Sequence, residues 1–196
     1  MNMPPSTNSP RIAVLPAESP AWMREAVVAG GGELVELASA EALVWGAPRD
    51  PVGLATALGA ADGLRWVQLP FAGVEEFVDL IDERRLWTCG KGVYAEPVAE
   101  MALSMALAGL RGLTTYARAR SWTPPIGRNL LGGRVTIIGG GGIAQELVRL
   151  LGPFDCHVTV VRNRVSEMDG VDVVIESGRY LDALPGADVV FLALPL

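Results

Sequence analysis

Histidine is almost missing from these 196 residues: His157 is the only one. It opens a β-branched run, far from any place where an acid–base group would be wanted, so it reads as structural or surface-exposed. Cysteine is nearly as scarce, since Cys89 and Cys156 lie far apart and show no metal-ligand spacing. That pattern predicts no metal site and fits a reduced, cytoplasmic setting. No apolar run reaches the roughly 18 residues that a membrane span requires. The best stretch, Val98 to Leu110, is interrupted by Glu100, so no membrane partner is expected. Basic excess is lacking as well, and a net charge of −6 argues against a nucleic-acid binder. Residues 1–10 are polar and proline-rich without an apolar signal core, and are expected to form a disordered leader.

Apolar residues are what the chain has most of. They make up 50% of the sequence, much of it Ala, Val and Leu, a composition that suits buried parallel strands covered by helices. The length allows one large domain or two small ones. Arg11 to Leu15 is expected as a strand, with Ser19 as N-cap and Pro20 as first residue of a helix to about Ala29. Strand-like runs follow at 33–37, 42–45, 64–69 and 86–88. Asp50 and Pro51 start another helix, and Val74, Phe77, Val78 and Ile81 form a helical stripe. The longest helix is expected over 98–116, with Pro97 in its first turn and small residues dense from Ala102 to Gly109. Small side chains allow close approach, either by another helix of the chain or by a partner subunit. Strands alternating with helices predict an α/β fold with parallel sheets. The domain change is placed near Pro97, giving domains 11–96 and 97–196. Trp87, Tyr94 and Trp122, near that junction, are expected to be packing residues.

The stretch from Arg134 to Leu151 carries the most chemistry. Val135 to Ile138 is a β-branched strand, Gly139 to Gly142 are four glycines, and Ile143, Leu147, Leu150 and Leu151 resume at helical spacing. Strand, glycine turn and helix form the context in which G-x-G-x-x-G/A means dinucleotide binding. Gly139 supplies the tight turn, Gly141 lets the backbone approach a pyrophosphate, and Ala144 is small enough for close helix–strand packing. The helix start, with Gly142, Ile143 and Ala144, offers N–H groups and a positive dipole end to the phosphates. A second strand, Cys156 to Val161, is followed by Arg162, Asn163 and Arg164. NAD-specific relatives of this motif place a carboxylate there to bind the ribose 2′-hydroxyl. Guanidinium groups instead suit a 2′-phosphate, which they pair through parallel hydrogen bonds. The expected cofactor is NADP, with NAD as the other possibility. Further short elements are expected at 171–175 and 181–184, then an apolar strand from Asp188 to Pro195.

Several of these stretches together resemble the D-isomer-specific 2-hydroxyacid dehydrogenases, the family of phosphoglycerate dehydrogenases and glyoxylate/hydroxypyruvate reductases. They are 64–68 with 72–75, then 98–100, 131–144 and 187–196. The resemblance implies two Rossmann-like, flavodoxin-like parallel-sheet domains with a cleft between them, the second an incomplete NAD(P)-binding Rossmann domain. It implies an oxidoreductase acting on the CH–OH group of small 2-hydroxy acids, that is, reducing 2-keto acids. The turn Ala72-Gly73-Val74 would then present N–H groups to the substrate carboxylate, and Leu194 and Pro195 would border the cofactor. Lys91 would either attract an anionic substrate or be an ordinary exposed lysine. The family is usually homodimeric about its long helix, which here is 98–116. Its catalytic Arg, Glu and His lie downstream of the strand ending near Leu196, so none is assigned in this chain. The chain is therefore expected to be part of a longer enzyme, and to turn over little by itself. A non-catalytic dinucleotide-binding protein or regulator is the alternative. A short-chain dehydrogenase is disfavoured, because its glycine turn would lie near the N-terminus and Tyr94, Tyr116 and Tyr180 have no lysine four residues on.

Overall fold

The computed structural model describes residues 9–194, which separate into two compact units, one up to Lys91 and one from Gly92 onward. Residues 1–8 of the expected leader, and Pro195 on the expected cofactor side, lie outside the described residues. The division precedes Pro97 because the first helix of the second unit already begins at Ala95.

In the first unit β1 (Arg11–Leu15), β2 (Glu33–Leu34), β3 (Ala42–Trp45), β4 (Trp66–Gln68) and β5 (Leu86–Thr88) form one parallel sheet in the order β2-β1-β3-β4-β5. Leu43 and Val67, on the inner strands, are wholly buried, as expected where both faces of a parallel sheet are covered. The strand expected over 33–37 stops at Leu34, and a 3-10 turn, Leu37–Ser39, takes its place. The stripe at 74–81 is a 3-10 helix, Glu75–Leu80, anchored by the buried Phe77.

Helix starts obey capping chemistry in one case and not in the other. Before α2 (Pro51–Gly59), Asp50 accepts the Gly53 N–H at 2.8 Å and Pro51 takes the first helical position. Ahead of α1 (Ala21–Ala29), the N-cap is Pro20, not the expected Ser19. The Ser19 hydroxyl is buried with no hydrogen-bond partner. This corner is held instead by the half-buried Arg24, whose guanidinium donates to the Ser19 and Ala17 carbonyls, each at 2.9 Å, and more weakly to Val14 and Pro16. Hydrogen bonds from a charged donor contribute about 1.5–3 kcal/mol, more than the cap they replace.

The second unit contains α3 (Ala95–Leu110), α4 (Leu113–Arg118), β6 (Arg134–Ile138), α5 (Gly142–Leu151), β7 (His157–Arg162), β8 (Val173–Glu176) and β9 (Val189–Leu192). Its four strands are parallel in the order β8-β7-β6-β9. Both units are thus Rossmann-like α/β layers. The single helix expected over 98–116 is corrected to α3 followed by α4. Gly112 sits at φ 62°, a left-handed conformation that glycine adopts without strain and that ends α3. The expected strand 188–195 is shorter, Val189–Leu192, and Asp188 just before it accepts the Arg134 N–H at 2.9 Å and pairs with Arg128 at 2.7 Å. The helix expected over 181–184 is a 3-10 segment, Ser177–Ala183. Trp87 is half-buried against the first core, but Trp122 is fully exposed and packs nothing. Among the described residues no helix is long and apolar enough to cross a membrane.

Candidate dinucleotide site

β6 is the inner strand around which the site is built. Val135 and Ile137 are buried in the core, and the Thr136 hydroxyl, also buried, donates to the Ala183 carbonyl at 2.6 Å. β7 lies on one side of β6 and β9 on the other, although both come later in the chain. The carboxyl end of such a strand, where the connections diverge, is the place where open α/β sheets bind ligands.

Each glycine after β6 answers a different constraint. Gly139 donates to the Val161 carbonyl at 2.8 Å while Ala193 donates to Ile138 at 2.8 Å, so the turn is pinned on both sides. Its φ is 119°, and a Cβ there would run into the Ala193 carbonyl oxygen. Gly140 faces Arg162. Gly141 is extended, at φ −86° and ψ −165°, with nothing within 4 Å of where a side chain would start. Gly142 meets Ala95 at the start of α3, where a Cβ would come within 3.3 Å of the alanine methyl. Ala144 is wholly buried and joins Leu147, Val148 and Leu151 on the inner face of α5, which packs against α3.

This arrangement is a cradle for an anion. No side chain caps α5, and its first bonded amide in the turn is Gln145, which donates to Gly141 at 3.1 Å. The N–H groups of Gly142, Ile143 and Ala144 precede the first intrahelical bond, and the open face of Gly141 gives a ligand access to them. The residues fit the pyrophosphate of a dinucleotide.

At the carboxyl end of β7, Arg162 is the last strand residue and is half-buried, while Asn163 and Arg164 form an exposed bend. Leu194 is exposed just beyond β9. His157 lies at the other end of β7, where its Nδ1 is 3.5 Å from Asp172. It therefore sits at the opposite end of the strands from the glycine turn. Burial pushes the Cys156 thiol up, an effect that a backbone hydrogen bond from Gly133 only offsets, so this cysteine is a poor nucleophile. Among the described residues no cluster of His, Cys, Asp or Glu is arranged to hold a metal.

The turn at 72–74 belongs to the first unit, beyond β4. Ala72 and Gly73 are exposed and Val74 is half-buried. Phe71 accepts the Gly90 N–H at 3.1 Å, which brings Lys91 beside this turn, where it is exposed. One feature escaped the sequence reading. The Glu75 carboxylate folds back over Gly73, with Oε2 2.7 Å from where a Cβ would stand.

Comparison with known proteins points the same way as the glycine turn. Residues 101–196 match the family model described as D-isomer specific 2-hydroxyacid dehydrogenase, NAD binding domain. The chain is 29% identical over 143 residues to an uncharacterized protein in the proB 3′ region of Corynebacterium melassecola, covering 69% of this chain and 47% of that protein. A D-isomer specific 2-hydroxyacid dehydrogenase family protein from Aeromonas salmonicida superposes with a TM-score of 0.80 at 22% identity, over 96% of this chain and 65% of that one. A glycerate dehydrogenase related protein from Thermoplasma acidophilum gives a TM-score of 0.65 at 26% identity, over 95% and 65%. A D-isomer specific 2-hydroxyacid dehydrogenase from Xanthobacter autotrophicus, solved with NADPH and MES, gives 0.74 at 17% identity, over 96% and 64%. The chain thus spans under half the length of the curated relative and about 65% of the Aeromonas protein.

Proposed function

We propose that the chain is a D-isomer specific 2-hydroxyacid dehydrogenase family protein, the NADP-binding portion of a cytoplasmic reductase of small 2-keto acids. The observation that carries this reading is the uncapped start of α5 behind an open Gly141, with Arg162 lying beside the same turn. The amides of Gly142, Ile143 and Ala144 hold the pyrophosphate. Arg162, helped by Asn163 and Arg164, holds the 2′-phosphate, and Leu194 and Pro195 border the nicotinamide half. When bound, the reduced cofactor supplies a hydride to the keto carbon. The turn Ala72-Gly73-Val74 binds the substrate carboxylate through its N–H groups once Glu75 swings off Gly73, and Lys91 adds attraction for the anion.

Carbonyl reduction also needs a proton at the oxygen, and His157 is at the wrong end of its strand to give one. The chain is therefore assigned cofactor binding and little turnover of its own. Pairing with a second copy is assigned to α3, where Val98, Met101 and Met105 leave an apolar face exposed.

Titrating residues 1–196 with NADPH and with NADH tests the cofactor reading. The expected result is NADPH binding tighter by about tenfold or more, the worth of one good charge-assisted pair. Tighter binding of NADH removes the NADP assignment, and failure of both cofactors to bind removes the dinucleotide site itself.

A further inference from the structure

Gly140 is the one residue of the glycine turn that lies against a charged side chain. A Cβ built on it would stand 2.9 Å from both Cβ and Nε of Arg162 and 3.0 Å from its Cδ. The stem of Arg162 therefore lies flat on the bare Cα of Gly140. Conformational freedom is not what glycine supplies here. Gly139 has a positive φ, whereas Gly140 is not among the residues that do. What matters at Gly140 is the missing side chain. Arg162 is half-buried, and among the described residues it has no ion-pair partner, not even Glu176, its register neighbour on β8. A guanidinium is thus seated across the turn by packing, its charge unpaired among the described residues.

We infer that Gly140 is a specificity-determining position, which seats Arg162 on the turn and so prearranges its guanidinium for the 2′-phosphate of a dinucleotide. The inference rests on the NADP reading above and deepens it. An arginine on a free surface loses rotamer freedom when it pairs with a ligand, a loss of roughly two- to tenfold in affinity that is avoided when the side chain is already seated. A methyl at Gly140 pushes the stem off the turn and restores that loss. NADH has no 2′-phosphate and gains nothing from the seat. Gly140 acts through Arg162 and is a positioning residue.

The test is a set of four proteins, wild type, Gly140→Ala, Arg162→Ala and the double variant, each titrated with NADPH and NADH. Gly140→Ala is expected to lower the NADPH-to-NADH preference by roughly two- to tenfold. Arg162→Ala lowers it further, and the double variant lowers it no more than Arg162→Ala alone, as coupled positions should. If the preference is lost in Arg162→Ala but unchanged or raised in Gly140→Ala, the inference falls and the NADP reading stands. A wild type without preference for NADPH overturns both. Thermal melts guard against misfolding. Early melting of Gly140→Ala that is rescued in the double variant supports the steric contact, and early melting of both overturns it.

Discussion

Gly139→Ala is expected to destabilise the second unit by about 3 kcal/mol or more and to abolish dinucleotide binding. Two independent costs add at this position. The backbone sits at φ 119°, where residues with a side chain are strained by about 1–3 kcal/mol. The new methyl would also press into the Ala193 carbonyl, just beyond β9. Relieving that clash means moving the end of β9 away, which breaks the Ala193 to Ile138 bond and loosens the β6–β9 pairing at Ile138 and Leu192. Gly141→Ala is the informative contrast. Its φ of −86° suits alanine and nothing lies within 4 Å of the added methyl, so it should melt within about 1 kcal/mol of wild type. That methyl nevertheless stands on the open face where a pyrophosphate must approach. Melting curves and NADPH titrations of both variants check the pair. A Gly139→Ala protein that melts like wild type, or a Gly141→Ala protein that binds like it, would show that the turn is not used as described.

Arg162→Glu should reverse cofactor choice. Removing a bidentate guanidinium–phosphate pair costs about 1.5–3 kcal/mol, and a carboxylate in its place adds repulsion to the 2′-phosphate. A carboxylate at this place is also what binds a ribose 2′-hydroxyl. The NADPH-to-NADH affinity ratio should therefore fall roughly a hundred- to thousandfold, since each 1.4 kcal/mol is a factor of ten. Arg164→Glu should do much less, because Arg164 is exposed in the bend beyond β7 and has no glycine seat like that of Arg162 in the contacts of the turn. Equal effects from the two variants would mean that bulk charge, not a seated guanidinium, sets the preference.

The framework of this chain was legible because its signals are local. Runs such as Val135 to Ile138 and Ala42 to Trp45 are apolar and β-branched or aromatic, and each became a strand at the expected place. The Asp50-Pro51 pair announced α2 through its own side-chain chemistry. What could not be read depends on contacts across the chain. Gly112 preserves the apolar spacing from Leu110 to Leu113, so its left-handed turn is invisible to periodicity. Ser19 is a good cap by type, but Arg24 claims the corner from a position five residues later. In the candidate site the glycine pattern was visible, with a tight turn expected at Gly139 and a backbone approach at Gly141, but the neighbours that constrain each glycine were not. Only the fold brings Ala193 against Gly139, Arg162 against Gly140 and Ala95 against Gly142. Nothing in the sequence signals that Glu75 folds over Gly73.

The bare start of α5 has a thermodynamic side. A serine or aspartate cap typically stabilises a helix by about 1 kcal/mol, and α5 forgoes it. On the proposed reading a bound dinucleotide would supply the missing cap, which would make ligand binding and folding of the second unit one linked equilibrium. At a ligand concentration a hundred times the dissociation constant, that linkage is worth about 2.7 kcal/mol. On that proposal the sequence leaves the helix incomplete and the cofactor finishes it.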